Sequence, residues 1–204
     1  MLIDKSGGII LLSIEEIKLY LKENLIEERY THSLGVAETA KRLAALNGIS
    51  EEKAEIAGLA HDVAKNLSKP KMKEMMEENN IILSAVEEKN PNLWHSIIAP
   101  IEAKEKLGIL DEEILDAIRW HTTGKEDMSI LTKIIYISDM IEPSRNFDGI
   151  EDIRKFTFED LDKGVYCGLN HSIEFLLIKN LLIDENSMRA RNYFLFKENY
   201  KKCI

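Results

Sequence analysis

The stretch Ala57-Gly58-Leu59-Ala60-His61-Asp62-Val63-Ala64 decides the fold. Small residues occupy positions 54, 57, 58, 60 and 64. A helix lined with them lets neighbouring helices approach closely, so the segment reads as a buried helix packed among others. A histidine and a carboxylate inside it are then costly, because a buried charge needs a partner or a metal ion. Alone, the His61-Asp62 dipeptide is a weak signal, since an ordinary Asp–His hydrogen bond in a core accounts for it equally well.

The punctuation on either side extends the helical reading. Ser50, followed by Glu51 and Glu52, opens this helix with acids near its positive end. Upstream, Ser13-x-x-Glu16 is a capping box that predicts a helix to about Asn24. A second helix runs from about Glu27 to Asn47, with Gly48 suited to its C-terminal cap. Downstream, Ser68 caps a short helix to about Asn79. Asn90-Pro91 opens another that ends near Gly108, with Pro100 as a candidate kink. Asp111 caps a helix through His121, stopped by Thr122-Thr123-Gly124. An apolar helix covers 129–142 and ends at Pro143, and a long one is expected from Thr157 to about Leu182. Strand-like alternation is confined to Ile9–Leu12. The expectation is one all-α helical bundle: residues 1–12 are an N-terminal extension with no assigned role, and 13–204 are a single domain with a helical C-terminal tail.

Bulk composition sets outer limits. The 204 residues are 45% apolar and 31% charged, a globular composition. No apolar run approaches the roughly 18 residues of a membrane span, so no membrane partner and a cytoplasmic location are expected. Cys167 and Cys203 form no C-x-x-C pair and read as free thiols in that compartment. The net charge of −9 argues against non-specific nucleic-acid binding. It also requires local positive charge of any enzyme acting on phosphates, and metal ions supply it.

Five histidines are present, four of them in apolar surroundings. His32 is in line with Val36, Ala40 and Leu43 on one helix face. His95 sits early in its helix beside Trp94. His121 follows Ile114 and Ile118 at a helix end. Asp139 lies within the apolar 129–142 helix, with no Lys or Arg three or four residues away. Each residue taken singly is more often a satisfied core group. Together they are four histidines and two aspartates in buried helices, with almost no basic residues between them. Nitrogen and carboxylate donors without cysteine describe a site for Fe, Mn, Zn or a similar divalent ion. Six such ligands, one a carboxylate able to bridge, suit two metals roughly 3.5–4 Å apart.

The order His32, His61-Asp62, His95, His121, Asp139 resembles the HD-domain metal-dependent phosphohydrolase superfamily. The words Arg29-Tyr30-Thr31-His32-Ser33-Leu34-Gly35-Val36, His61-Asp62-Val63-Ala64-Lys65, Trp120-His121-Thr122-Thr123-Gly124 and Asp139-Met140-Ile141-Glu142-Pro143-Ser144-Arg145 look like its YqeK-type branch of symmetrical dinucleoside tetraphosphate hydrolases. The resemblance covers about residues 13–195. It implies an HD-domain bundle and cleavage of diadenosine tetraphosphate to two ADP by metal-activated water. It further implies His32, His61, Asp62 and Asp139 as ligands of a first metal, iron foremost, with Mn, Co and Zn as alternatives, and Asp62 as the bridge. His95 and His121 would hold a second metal or face the phosphates. Asp62 and Lys65 would be catalytic, with Lys65 on the same helix face as His61 and Asp62. Arg29, Thr31, Ser33, Lys65, His95, His121, Thr122 and Arg145 are the candidate nucleotide contacts. Glu142 is given no role beyond orienting Arg145, and His171 none. The apolar segments 129–142 and 172–182 are compatible with a homodimer. Rival readings are another HD activity on a nucleoside triphosphate, cyclic nucleotide or alarmone, a non-catalytic metal or nucleotide sensor, and six unrelated core polar groups.

Overall fold

The computed structural model describes residues 11–197, and among them every regular element is helical. The expected N-terminal extension and the Ile9–Leu12 strand fall mostly outside that span. Leu11 and Leu12 join no element, and the Leu12 N–H donates to the Leu107 carbonyl. Cys203 also lies outside it. Cys167 is buried, and the expectation for the cysteine pair, which involves Cys203, lies outside the described residues.

The centre of the bundle is three helices: α2 (Glu27–Leu46) packs along α3 (Glu51–Ala60) and against α8 (Ile130–Ile141). The small-residue stretch explains how. A Cβ at Gly58 would lie 2.7 Å from the Ala37 Cα, so α2 and α3 touch backbone to backbone there. α1 (Ile14–Asn24), capped by the Ser13–Glu16 box, closes one side through Ile17 and Leu21. α4 (Lys69–Glu78) packs on α6 (Trp94–Leu107), which packs in turn on α7 (Glu112–Trp120). α6 continues through Pro100 without interruption. A five-residue helix not anticipated in the sequence, α5 (Ala85–Lys89), precedes a 3-10 turn over Pro91–Leu93.

Two boundaries differ from expectation. The long helix from Thr157 is two helices, α9 (Ile150–Glu159) and α10 (Leu161–Ile178). Gly149 opens α9 at φ +87, and Asp160 breaks the run with extended dihedrals while capping α10 through its side chain. Thr157 belongs to the last turn of α9, where its hydroxyl donates to the Ile153 carbonyl. α11 (Glu185–Lys197) follows as the expected tail.

The second difference bears on the site. α3 ends at Ala60, so His61 and Asp62 sit on a run of turns over 61–66 rather than inside a helix. Residues 63, 65 and 67 donate to carbonyls three residues back, the tighter 3-10 pattern. The cause is local: the His61 ring takes the Gly58 carbonyl at 2.7 Å, a carbonyl that a continuing α-helix would offer to Asp62 N–H. Lys65 still reaches Asp62, at 3.5 Å, but through this turn rather than along a helix face.

Candidate active site

Five elements bring the six residues together: His32 from α2, His61-Asp62 from the end of α3, His95 from α6, His121 from the end of α7 and Asp139 from α8. The four imidazoles form a chain, with centroids 5.3 Å apart for His32–His61, 4.9 Å for His61–His121 and 5.1 Å for His95–His121. Each ring is aimed the same way. Nδ1 of His61, His95 and His121 donates at 2.7 Å to the carbonyl three residues back, of Gly58, Asn92 and Ile118. Nδ1 of His32 donates to Glu142 Oε1 at 3.0 Å. A carbonyl only accepts, so the Nδ1–H tautomer is fixed and Nε2 presents a lone pair inward. An outer acceptor on one ring nitrogen and a free lone pair on the other is how proteins orient metal-binding histidines.

Three of the inward atoms make no hydrogen bond. His32 Nε2, His61 Nε2 and Asp62 Oδ1 are buried without a hydrogen bond. Leaving three such groups desolvated is expensive unless something else satisfies them. His32 Nε2 and Asp139 Oδ1 are 3.0 Å apart, a contact that is favourable only with a proton on the ring or a cation between the two atoms. Two donor-atom groups fall within 4.8 Å: His32, His61 and Asp139, and His61, Asp62 and His121. His61 is common to both. His95 belongs to neither, although its Nε2 lies 3.3 Å from Asp62 Oδ1 and 3.1 Å from His121 Nε2. His61 and His121 immediately follow the last residues of α3 and α7, so two of the clustered residues sit at helix C-termini, which carry partial negative charge. The donor set, the burial and the unpartnered lone pairs all fit a divalent metal.

The titration behaviour follows from burial and charge. Burial depresses His61 to about 4, against the pull of Asp62. Burial and the neighbouring His121 depress His95 to about 3. Both rings are therefore neutral at neutral pH. Burial opposes charge on His32 as well, but the Asp139 and Glu142 carboxylates outweigh it and raise its pKa. Burial alone would raise both aspartates; His61 holds Asp62 well below the usual carboxylate range, and His32 does the same for Asp139.

The acids also have basic partners that local spacing hid. Arg29 Nη1 lies 3.0 Å from Asp62 Oδ2, and Arg145 Nη2 lies 2.7 Å from Asp139 Oδ1. Lys65 Nζ donates to His95 Nε2 at 3.0 Å.

A cleft of about 830 Å³ opens from the cluster, and Lys65, His95, His121, Thr122, Asp139 and Arg145 all line it. Three of the expected nucleotide contacts do not. Ser33 is fully buried within α2, Thr31 is exposed away from the cleft, and Arg29 is occupied with Asp62. Two residues were underrated. Glu142 is buried and clamps His32 Nδ1 while accepting from the Ser144 N–H and hydroxyl. His171, rather than an ordinary helix residue, lines the same cleft and stacks on Phe147 at 4.3 Å. Gly35 makes room for the clamp, since a Cβ there would lie 2.7 Å from Glu142 Oε2.

The family model for the HD domain matches residues 29–144, a span that contains all six clustered residues. The chain belongs to the HD-domain family. Within that family it is similar to the symmetrical bis(5'-nucleosyl)-tetraphosphatase of Bacillus subtilis (strain 168), 36% identical over 181 residues, which is 89% of this chain and 97% of that protein. The enzyme of the same name from Halalkalibacterium halodurans is 38% identical over 182 residues, 87% and 95% of the two chains. A crystal structure from Clostridium acetobutylicum, described as a predicted HD superfamily hydrolase involved in NAD metabolism, superposes with a TM-score of 0.89 at 42% identity. It covers 93% of this chain and 100% of that one. No helix among the described residues is long and apolar enough to cross a membrane.

Proposed function

We propose that this HD-domain chain hydrolyses diadenosine tetraphosphate symmetrically to two ADP, with a divalent metal held by His32, His61, Asp62 and Asp139. One observation carries the reading: four histidines with Nδ1 tied outward converge with two aspartates, and His32 Nε2, His61 Nε2 and Asp62 Oδ1 are left unpartnered at the centre. Relatives named for symmetrical tetraphosphate cleavage, matched over 95–97% of their length, supply the substrate.

A divalent ion in such a site lowers the pKa of water and offsets phosphate charge. Iron is our first assignment, and Mn, Co and Zn accept the same donors. The second donor group would draw His121 toward a second ion, with the Asp62 carboxylate as the ligand able to serve both and the single His61 lone pair serving one of them. His95 stays outside both groups and serves the phosphates instead.

The side chains divide the remaining work. Arg29 fixes Asp62 through Oδ2, which leaves Oδ1 as the oxygen that would ligate the metal. The His95 lone pair anchors the Lys65 ammonium. Lys65 and Arg145 then face the cleft as cations against which charge on the phosphate chain accumulates. These groups answer the −9 background charge at the one place where an anion must approach. Chromatography of the products separates this reading from its rivals: symmetrical cleavage yields ADP alone, whereas ATP with AMP, or no product, rejects it.

A further inference from the structure

The site accounts for the phosphates and leaves the far half of the cleft unexplained. That half is built differently from the metal-binding end. Phe147, two residues beyond Arg145 on the α8–α9 connection, stacks on His171 of α10 with centroids 4.3 Å apart and planes 25° apart. Both rings line the cleft. The wall continues through Phe175, Leu181 and Leu182, which also line the cleft and are 50%, 53% and 49% exposed. Keeping large apolar groups wet at a cleft mouth is unfavourable, and a ligand that covers them recovers that energy.

The cleft is thus cationic and metal-liganding at one end and flat and apolar at the other. Its volume of about 830 Å³ is in the range of pockets that enclose an entire small organic ligand rather than a phosphate chain alone. We infer that the Phe147–His171 pair is a nucleobase platform: one base of the substrate stacks on these rings while its phosphates run back past Arg145 to the histidine cluster. The inference rests on the nucleotide reading proposed above and adds a specificity-determining pair to it. Stacking needs only a π-face, so the platform discriminates nucleotide from bare phosphate more than adenine from guanine. Arg145 and Phe147 share one short connection, which couples the grip on the phosphates to the grip on the base.

Calorimetric titration of the metal-loaded protein with ADP and, separately, with inorganic pyrophosphate tests this. Phe147→Ala and His171→Ala are each expected to bind ADP about ten-fold more weakly, the scale of one lost base–aromatic stack, with pyrophosphate binding unchanged. His171→Phe, which keeps the stack, restores ADP binding, and GDP behaves like ADP in wild type. Equal loss of ADP and pyrophosphate binding in the alanine variants, unchanged ADP binding, or wild type that binds ADP no more tightly than pyrophosphate overturns the platform. His171→Ala carries the test alone if Phe147→Ala does not fold. Because the readout is binding, a wild-type protein that cleaves diadenosine tetraphosphate to other products rejects the proposed reaction without touching this result.

Discussion

Glu142 Oε1 accepts the Nδ1–H of His32 at 3.0 Å, and this contact decides which nitrogen of His32 faces Asp139. Glu142 is almost fully buried, so the carboxylate is kept for this purpose and for the Ser144 contacts. Such outer acceptors typically carry about 10–100-fold in metal affinity. Glu142→Gln is therefore expected to weaken metal binding by that factor in a competition titration against a chelator, with helical content unchanged by circular dichroism. Unaltered affinity would show that His32 keeps its orientation without the clamp.

A second expectation concerns packing at the opening stretch. A Cβ at Gly58 meets the Ala37 backbone at 2.7 Å, and backbone cannot step aside as a flexible side chain can. Gly58→Ala is expected to cost about 1–3 kcal/mol, the usual range for overpacking, seen as a Tm lowered by several degrees. A melting temperature equal to wild type would mean that α2 and α3 do not touch there.

The depressed histidines make the metal-free protein acid-sensitive. His61 and His95 titrate near 4 and 3 in the folded chain and near their ordinary value of about 6.5 when unfolded. Between about pH 6 and pH 4 the unfolded state binds the extra protons, so stability falls as pH falls, by up to about 1.4 kcal/mol per pH unit for each ring. His32, raised rather than lowered, is charged in both states across that window and adds nothing to the slope. Asp62 and Asp139, held low, add their own loss only below about pH 4. Thermal melts of chelator-treated protein across pH 4–7 check the slope; a flat profile contradicts the burial of these rings.

Lys65 is expected to matter for rate. Its ammonium lies beside both His95 and the cleft. Lys65→Met should lower kcat on diadenosine tetraphosphate by about 10²–10³-fold, the scale of one lost charge-stabilising donor, while metal content stays the same. Thr31→Ala, outside the cleft, should leave both kcat and KM at wild-type values.

How much of this was visible in the sequence depends on the range of the interactions. Ser13, Ser50, Ser68 and Asp111 act on their own first turns, and each caps the helix it was expected to cap. The small residues at 54–64 reported the α2–α3 approach because closeness is written into side-chain size. The six clustered residues stood out because buried polar groups need a shared explanation. Long-range partners left no such trace. Arg29 reaches Asp62 across 33 positions, and Glu142 reaches His32 across 110. His171 meets the cleft and Phe147 only in the folded chain, 24 positions from Phe147, a pairing that spacing within one predicted helix does not show. The α3 end was missed for a similar reason, since a side chain competing for one carbonyl stops the helix where propensity alone would continue it.

The central claim is that hydrolysis runs through the His61-Asp62 cluster. The most direct measurement is the product profile from diadenosine tetraphosphate with metal-loaded wild type, His61→Ala and Asp62→Ala, each shown to be folded. The account predicts ADP as the sole product from wild type and its loss, together with bound metal, in both variants. ADP formation that survives either substitution, or ATP and AMP from wild type, would contradict it.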